Sequence, residues 1–189
     1  ALECAAAAAE LGGERPDPQW SAVAAGLRIP HFADGTTREH AGYDGEMIKQ
    51  ADANLLGYPL GIVTGREAQL RDLEYYERRI DPRNGPAMSY SVFAIQYARL
   101  GMAEKACEMF RRSYLPNLRP PFGVFAETAT SGNPYFMTGA GGMLQAVLFG
   151  FGGLEITADG LVQRPSVLPP QWKNLRIKIN GKIYQATNQ

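Results

Sequence analysis

Two kinds of helical segment alternate along this chain, and that alternation restricts its architecture more than any other feature. Pro86 to Leu100 carries Met88, Tyr90, Val92, Phe93, Ala94, Ile95, Tyr97 and Ala98, apolar or aromatic on nearly every side, which predicts a buried helix. After a break at Gly101, Ala103 to Tyr114 has a single apolar stripe through Ala106, Cys107, Phe110 and Tyr114, with Glu104, Lys105, Glu108, Arg111 and Arg112 outside it. Gly139 to Phe149 is apolar all round again, and its small residues Gly141, Gly142 and Ala146 permit close helix approach. Upstream, Arg66 to Arg79 is rich in charge and keeps a narrow stripe at Leu70, Leu73 and Tyr76, which predicts a helix lying on a surface. Inner helices covered by outer ones, in about three hairpins, are what a two-layer ring requires. No self-similar motif recurs at a fixed period, which argues against a solenoid.

The rest of the chain fits around these helices. Ala1 to Leu11 is alanine-rich and reads as a helix stopped by Gly12-Gly13. Asp17-Pro18 is an N-cap followed by proline at the first helical position, opening a helix through Trp20, Val23 and Ala24 to about Leu27. Arg28 to Glu46 shows no sustained period and reads as a long loop, a type of segment that usually carries function. Met47 to Leu56 reads as a short apolar helix ended by Gly57 and Pro59. After Gly153 the texture changes to alternation, with one hairpin about Asp159-Gly160 and a second about Asn180-Gly181, the latter a strong type I′ signal. The expected organisation is mainly α over residues 1–152, followed over 153–189 by a small β appendage whose strands pair with others outside the chain.

Composition narrows the function classes. With 19 Lys+Arg against 19 Asp+Glu the formal net charge is zero, so no electrostatic case exists for nucleic acid or an anionic membrane surface. The longest apolar stretches, such as Ala5 to Ala9 and Met143 to Leu148, fall far short of the roughly 20 residues a spanning helix needs. Cys4 and Cys107 form no recognisable spacing and read as small buried apolar groups, while His31 and His40 cannot build a His-rich metal site. Neither metal nor cofactor is expected. The chain opens at an alanine already inside a helical pattern, which reads as a cut and leaves the compartment open.

Three clusters sit in loops or at helix starts. In the first, Glu39-His40-Ala41-Gly42-Tyr43-Asp44-Gly45-Glu46 leads into Lys49-Gln50-Ala51-Asp52. A lysine, an amide and several carboxylates at the mouth of an apolar segment suit hydrogen bonding to a hydroxyl-rich ligand, and suit a solvated loop equally well. The second runs from Pro120 to Phe136. There Glu127 follows the apolar run Phe122-Gly123-Val124-Phe125-Ala126, which places it at the edge of a core, where partial desolvation would tune it for proton transfer, or where it would serve as a cap or ion-pair partner. The third, Thr138 to Gly142, opens a helix with glycines but lacks the lysine of a phosphate loop, so close packing is the better reading of those glycines.

The string from Gly45 to Pro59 containing Lys49-Gln50-Ala51-Asp52, the run Gly85 to Ala94, Glu127-Thr128, and Asn133 through Val147 together resemble glycoside hydrolase family 65, in order and over most of residues 45–153. The family comprises acid trehalases, disaccharide phosphorylases and glucosidases acting on α-glucosyl compounds. The resemblance implies the second half of an (α/α)6 toroid followed by a small β domain. It implies inverting cleavage of an α-glucoside, with Lys49 and Gln50 on hydroxyls of the nonreducing glucose and Glu127 as the general base.

The phosphorylases of that family carry a Gly-Ile-His type phosphate pocket in this region, and no such motif occurs here. A carboxylate at position 127 would repel phosphate and orient water, which favours hydrolysis over the phosphorylase alternative. The general acid of the family lies in a Glu-Tyr-His type motif that is absent from these residues; Glu39-His40 is misplaced relative to Lys49-Gln50. The resemblance therefore places the acid and the first half of the ring upstream, and makes the upstream half of the same enzyme a necessary partner. A noncatalytic carbohydrate-binding module is the remaining alternative, if that acid has been lost.

Overall fold

The computed structural model describes residues 1–188. Helix α1 (Leu2–Leu11) and helix α2 (Pro18–Gly26) pack on each other, and neither buries a residue. Asp17 caps α2 as its sequence implies, its Oδ1 accepting the Gln19 N–H at 2.8 Å with Pro18 opening the helix. The two thiols depart from expectation. Cys4 is exposed because α1 has no covering layer among the described residues. Cys107 is half-buried because it falls at the edge of its helix stripe, where its Sγ meets Gln171 Oε1 at 3.6 Å.

A long irregular segment follows and leads to helix α3 (Arg66–Glu77), helix α4 (Ala87–Arg99) and helix α5 (Ala103–Arg112). Tyr43, from that irregular segment, packs into the core beside Tyr76 of α3. Helix α3 turns its narrow stripe inward as expected, burying Leu73 and Tyr76 together with Asp72. Helix α4 is the centre of the molecule, with Phe93, Ile95 and Tyr97 fully buried, each such side chain worth roughly 1.5–3 kcal/mol over exposure. Glu77 ties three helices together, accepting from Tyr97 Oη at 2.8 Å and Lys105 Nζ at 2.6 Å. Helix α5 covers α4 through Ala106, Met109 and Phe110, as its stripe requires.

A short hairpin of strands β1 (Leu118–Arg119) and β2 (Val124–Phe125) precedes helix α6 (Met137–Gln145), which continues as a wider π-helical turn over Ala146–Phe151. Helix α6 lies close to α4 because glycines face it. A Cβ on Gly139 would stand 3.1 Å from the Ala87 Cβ, and one on Gly142 3.0 Å from Ser91 Oγ. The opposite face of α6 is open: Met137 is 78% and Leu144 57% exposed.

Two further hairpins end the chain. Strand β3 (Leu154–Thr157) pairs with β4 (Gly160–Gln163), and β5 (Asn174–Ile179) pairs with β6 (Lys182–Thr187), all antiparallel. Asn180 and Gly181 have φ of 49° and 82°, the left-handed pair that a type I′ turn demands. Among the described residues each strand pairs only with its hairpin mate. No helix among those residues is long and apolar enough to cross a membrane.

The expected helix over Met47 to Leu56 is mostly absent. Only Ala53–Leu56 forms a short 3-10 turn. Ile48 instead makes a parallel bridge with Ile80, its N–H donating to Arg79 O at 2.8 Å and its carbonyl accepting from Asp81 N–H at 3.0 Å. This pairing satisfies the backbone that a helix would otherwise have satisfied internally, and holds Lys49 and Gln50 in a bend outside any helix.

Candidate functional site

Lys49 and Glu127 meet. Their Nζ and Oε1 atoms stand 3.4 Å apart, with the lysine side chain 63% and the glutamate 31% accessible. Both residues hang from one corner, the turn between α3 and α4. Asp81 forms it: its Oδ1 accepts the N–H groups of Arg83 (2.8 Å) and Asn84 (3.1 Å), its Oδ2 accepts from Asn84 Nδ2 at 2.8 Å, and its carbonyl accepts the Gly85 N–H at 2.7 Å. These bonds hold its carboxyl below the usual carboxylate range, the Arg83 N–H contributing most. At the end of that turn a Cβ on Gly85 would stand 2.5 Å from Asp81 O and 3.5 Å from Lys49 O, so only glycine allows the corner to close. Two residues on, the Ala87 N–H at the start of α4 donates to Glu127 O at 3.1 Å.

A buried asparagine completes the support of Glu127. Asn117 Nδ2 donates to the carbonyls of Ala126 and Glu127, both at 3.0 Å, and its own carbonyl accepts the Ala126 N–H at 2.8 Å. Ala126 is fully buried beneath the site. Beyond it, Arg119 gathers the carbonyls of Thr128, Ala129 and Ser131 at 2.9, 2.8 and 3.1 Å, fixing the loop that follows. The backbone of Glu127 is thus held from two directions while its side chain remains partly open. That is the arrangement a reactive carboxylate needs.

Gln50 is half-buried and lines a cavity of about 350 Å³ with Asp52, Ser89, Ser91, Thr138 and Gln145 among its polar wall. The structure therefore joins Lys49 to Glu127 directly and sets the next residue, Gln50, on the wall of a cavity that neither Lys49 nor Glu127 lines. Glycines of the third cluster divide by role. Gly139 and Gly142 serve close packing, whereas Gly141 has nothing within 4 Å of its Cβ position and faces the cavity. Asn117 and Asp81 are supports that the sequence did not flag, since neither sits in a chemical motif.

Lys49 has three donors, of which Glu127 takes one, so two remain for hydroxyl acceptors. Glu127 in turn keeps acceptor capacity for a water or a sugar hydroxyl. A partly sheltered carboxylate beside a lysine and a cavity with amide and hydroxyl walls suits a polyhydroxylated ligand undergoing proton transfer.

The chain has relatives among known proteins. No protein-family model matches the chain. The kojibiose hydrolase of Mucilaginibacter mallensis is 49% identical over 93% of this chain and 26% of that protein. The protein-glucosylgalactosylhydroxylysine glucosidase of Danio rerio is 39% identical over 94% of this chain and 27% of that protein. A periplasmic/secreted acid trehalase of Candida glabrata is 36% identical over 78% of this chain and 13% of that protein. A solved structure described as a kojibiose phosphorylase from the human microbiome aligns with a TM-score of 0.51 at 22% identity, covering 74% of this chain and 20% of that one, a likeness of fold. The chain belongs to glycoside hydrolase family 65. It spans about a quarter of the length of the first curated relatives it matches.

Proposed function

We propose that this chain is the C-terminal part of the catalytic region of an inverting α-glucosidase, acting by hydrolysis on an α-glucosyl disaccharide or glycoconjugate. The observation that carries this reading is the 3.4 Å approach of Lys49 Nζ to Glu127 Oε1 beside the cavity lined by Gln50. Glu127 acts as general base on a water, which attacks the anomeric carbon from the face opposite the leaving sugar. Lys49 and Gln50 hold hydroxyls of the nonreducing glucose. The general acid is contributed by the upstream part of the protein, at the roughly 6.5–9.5 Å carboxyl separation that leaves room for the water.

The fold supports this reading in two places. Helix α4 is buried on nearly all sides and α5 covers it, while α6 packs on α4 yet leaves Met137 and Leu144 open. An apolar helix with one uncovered face is what half of an (α/α)6 ring presents where the other half would continue. Residues 1–152 then form the second part of that ring and 153–189 the beginning of a β domain. The relatives named as hydrolases and glucosidases favour water as the nucleophile.

The test is the activity of the full-length protein on kojibiose and on an aryl α-glucoside, with and without inorganic phosphate. Release of glucose independent of phosphate, with the β anomer as first product, is the expected result. Strict phosphate dependence with formation of a glucose phosphate would assign the protein to the phosphorylases, and glucose binding without turnover would make it a binding module.

A further inference from the structure

Glu39 is a half-buried carboxyl that the reaction above does not use. Its Oε2 accepts the Ala53 N–H at 3.1 Å, across 14 residues of chain, while its Oε1 is buried without a hydrogen-bond partner. Among the described residues no ion pair involves it. The groups around it are otherwise engaged. Tyr43 Oη donates to Glu46 O and Tyr76 Oη to Thr37 O, at 2.7 and 2.6 Å; Asp72 takes the Thr37 N–H at 2.9 Å. The neighbouring Arg38 stacks on Phe32 and reaches Ala41 O and Asp44. The remaining charge facing Glu39 is Asp52, of like sign. A half-buried carboxyl with no cation is costly, and a group placed so is a candidate for a task.

The task is visible in what it holds. The 3-10 turn Ala53–Leu56 begins at Asp52, the residue type that ordinarily caps such a turn, yet the Asp52 side chain makes no cap. Glu39 supplies the acceptor instead, and Asp52 is left on the wall of the cavity beside Gln50. On the other side Ile48 is pinned to the backbone of Arg79 and Asp81. Between those two anchors lie Lys49 and Gln50. Resting on the glucosidase reading of that site, we propose that Glu39 is a positioning residue for sugar binding: its carboxyl group anchors the far end of the segment that carries Lys49 and Gln50, and releases Asp52 to face the cavity.

Burial, reinforced by Asp52, pushes the Glu39 carboxyl up to about 7. The anchored carboxyl holds its proton more tightly than one in water, so the anchor is firm below that value and loosens as the pH rises through it. The readout is the inhibition constant of glucose on the full-length protein at pH 6 and pH 8, for wild type, Glu39→Gln and Glu39→Ala, with thermal midpoints recorded alongside. In wild type the constant rises severalfold from pH 6 to pH 8. Glu39→Gln, which keeps an acceptor but cannot titrate, lacks that component of the pH dependence. Glu39→Ala weakens glucose about tenfold at pH 6, the effect of one lost hydrogen bond of about 1.4 kcal/mol, with kcat changed less. Unaltered affinity in Glu39→Ala, or an unaltered pH slope in Glu39→Gln, overturns the positioning role while leaving the glucosidase reading intact. A wild-type protein that neither binds glucose nor cleaves α-glucosides overturns both.

Discussion

Lys49 and Glu127 are 78 residues apart in sequence and 3.4 Å apart in space, joined at the corner where Gly85 lets the chain pass against the Lys49 carbonyl. The lysine's remaining donors are free for a ligand, so its removal acts mainly on affinity. Lys49→Met is expected to lower kcat/KM for an α-glucoside by roughly 10- to 100-fold, the value of a charged hydrogen bond of about 1.5–3 kcal/mol, mostly through KM. Steady-state kinetics of the full-length variant decide this; an unchanged KM would remove the lysine from the sugar site.

Asn117 holds Glu127 without touching the cavity. Asn117→Ala leaves the Ala126 carbonyl buried and short of a donor, which costs about 1–3 kcal/mol of stability, and it loosens the backbone beneath the carboxylate. The expected kinetic signature is a fall in kcat larger than the rise in KM. A variant that loses thermal stability but keeps kcat would mean that the Ala87 N–H alone holds Glu127 in place.

The approach of α6 to α4 depends on particular glycines. Gly139→Ala puts a methyl group 2.7 Å from Phe125 and 3.1 Å from the Ala87 Cβ, overpacking expected to cost about 1–3 kcal/mol. Gly141→Ala meets nothing within 4 Å and gains helix propensity of up to about 1 kcal/mol. Thermal unfolding should separate the pair by opposite signs, and equal shifts would contradict the packing.

Glu39 also sets a pH dependence of stability. Its folded value, about 7, is above the ordinary 4.5, so the folded state holds the proton more tightly than the unfolded chain. The stabilising contribution is fully present below 4.5 and is lost as the pH rises through about 7. Glu39→Gln should therefore flatten this part of the midpoint-versus-pH curve, and a parallel curve would place Glu39 in water.

Much of this was legible in the residues, and the misses have physical causes. The all-round apolarity of Phe93 to Ala98 marked α4 as the centre, and Asn180-Gly181 marked a hairpin, because burial and positive φ leave local signatures. The Lys49 segment looked helical since its apolar spacing allowed it, but long-range pairing of Ile48 with Ile80 overrode local preference. Cys4 looked buried by residue type, whereas burial depends on what covers α1. At the site, Lys49, Gln50 and Glu127 were readable from motif resemblance; Asn117, Asp81 and Glu39 were not, because they act through backbone bonds that any sequence context could hide.

The most direct measurement is turnover of kojibiose by the full-length protein carrying Glu127→Gln, with glucose affinity measured in parallel. The amide keeps the shape and loses the basicity, so kcat should fall by roughly 10²- to 10⁴-fold, the usual worth of a general base, while glucose binds within about threefold of wild type. Turnover retained at the wild-type level would contradict the assignment of Glu127 as the group that activates water.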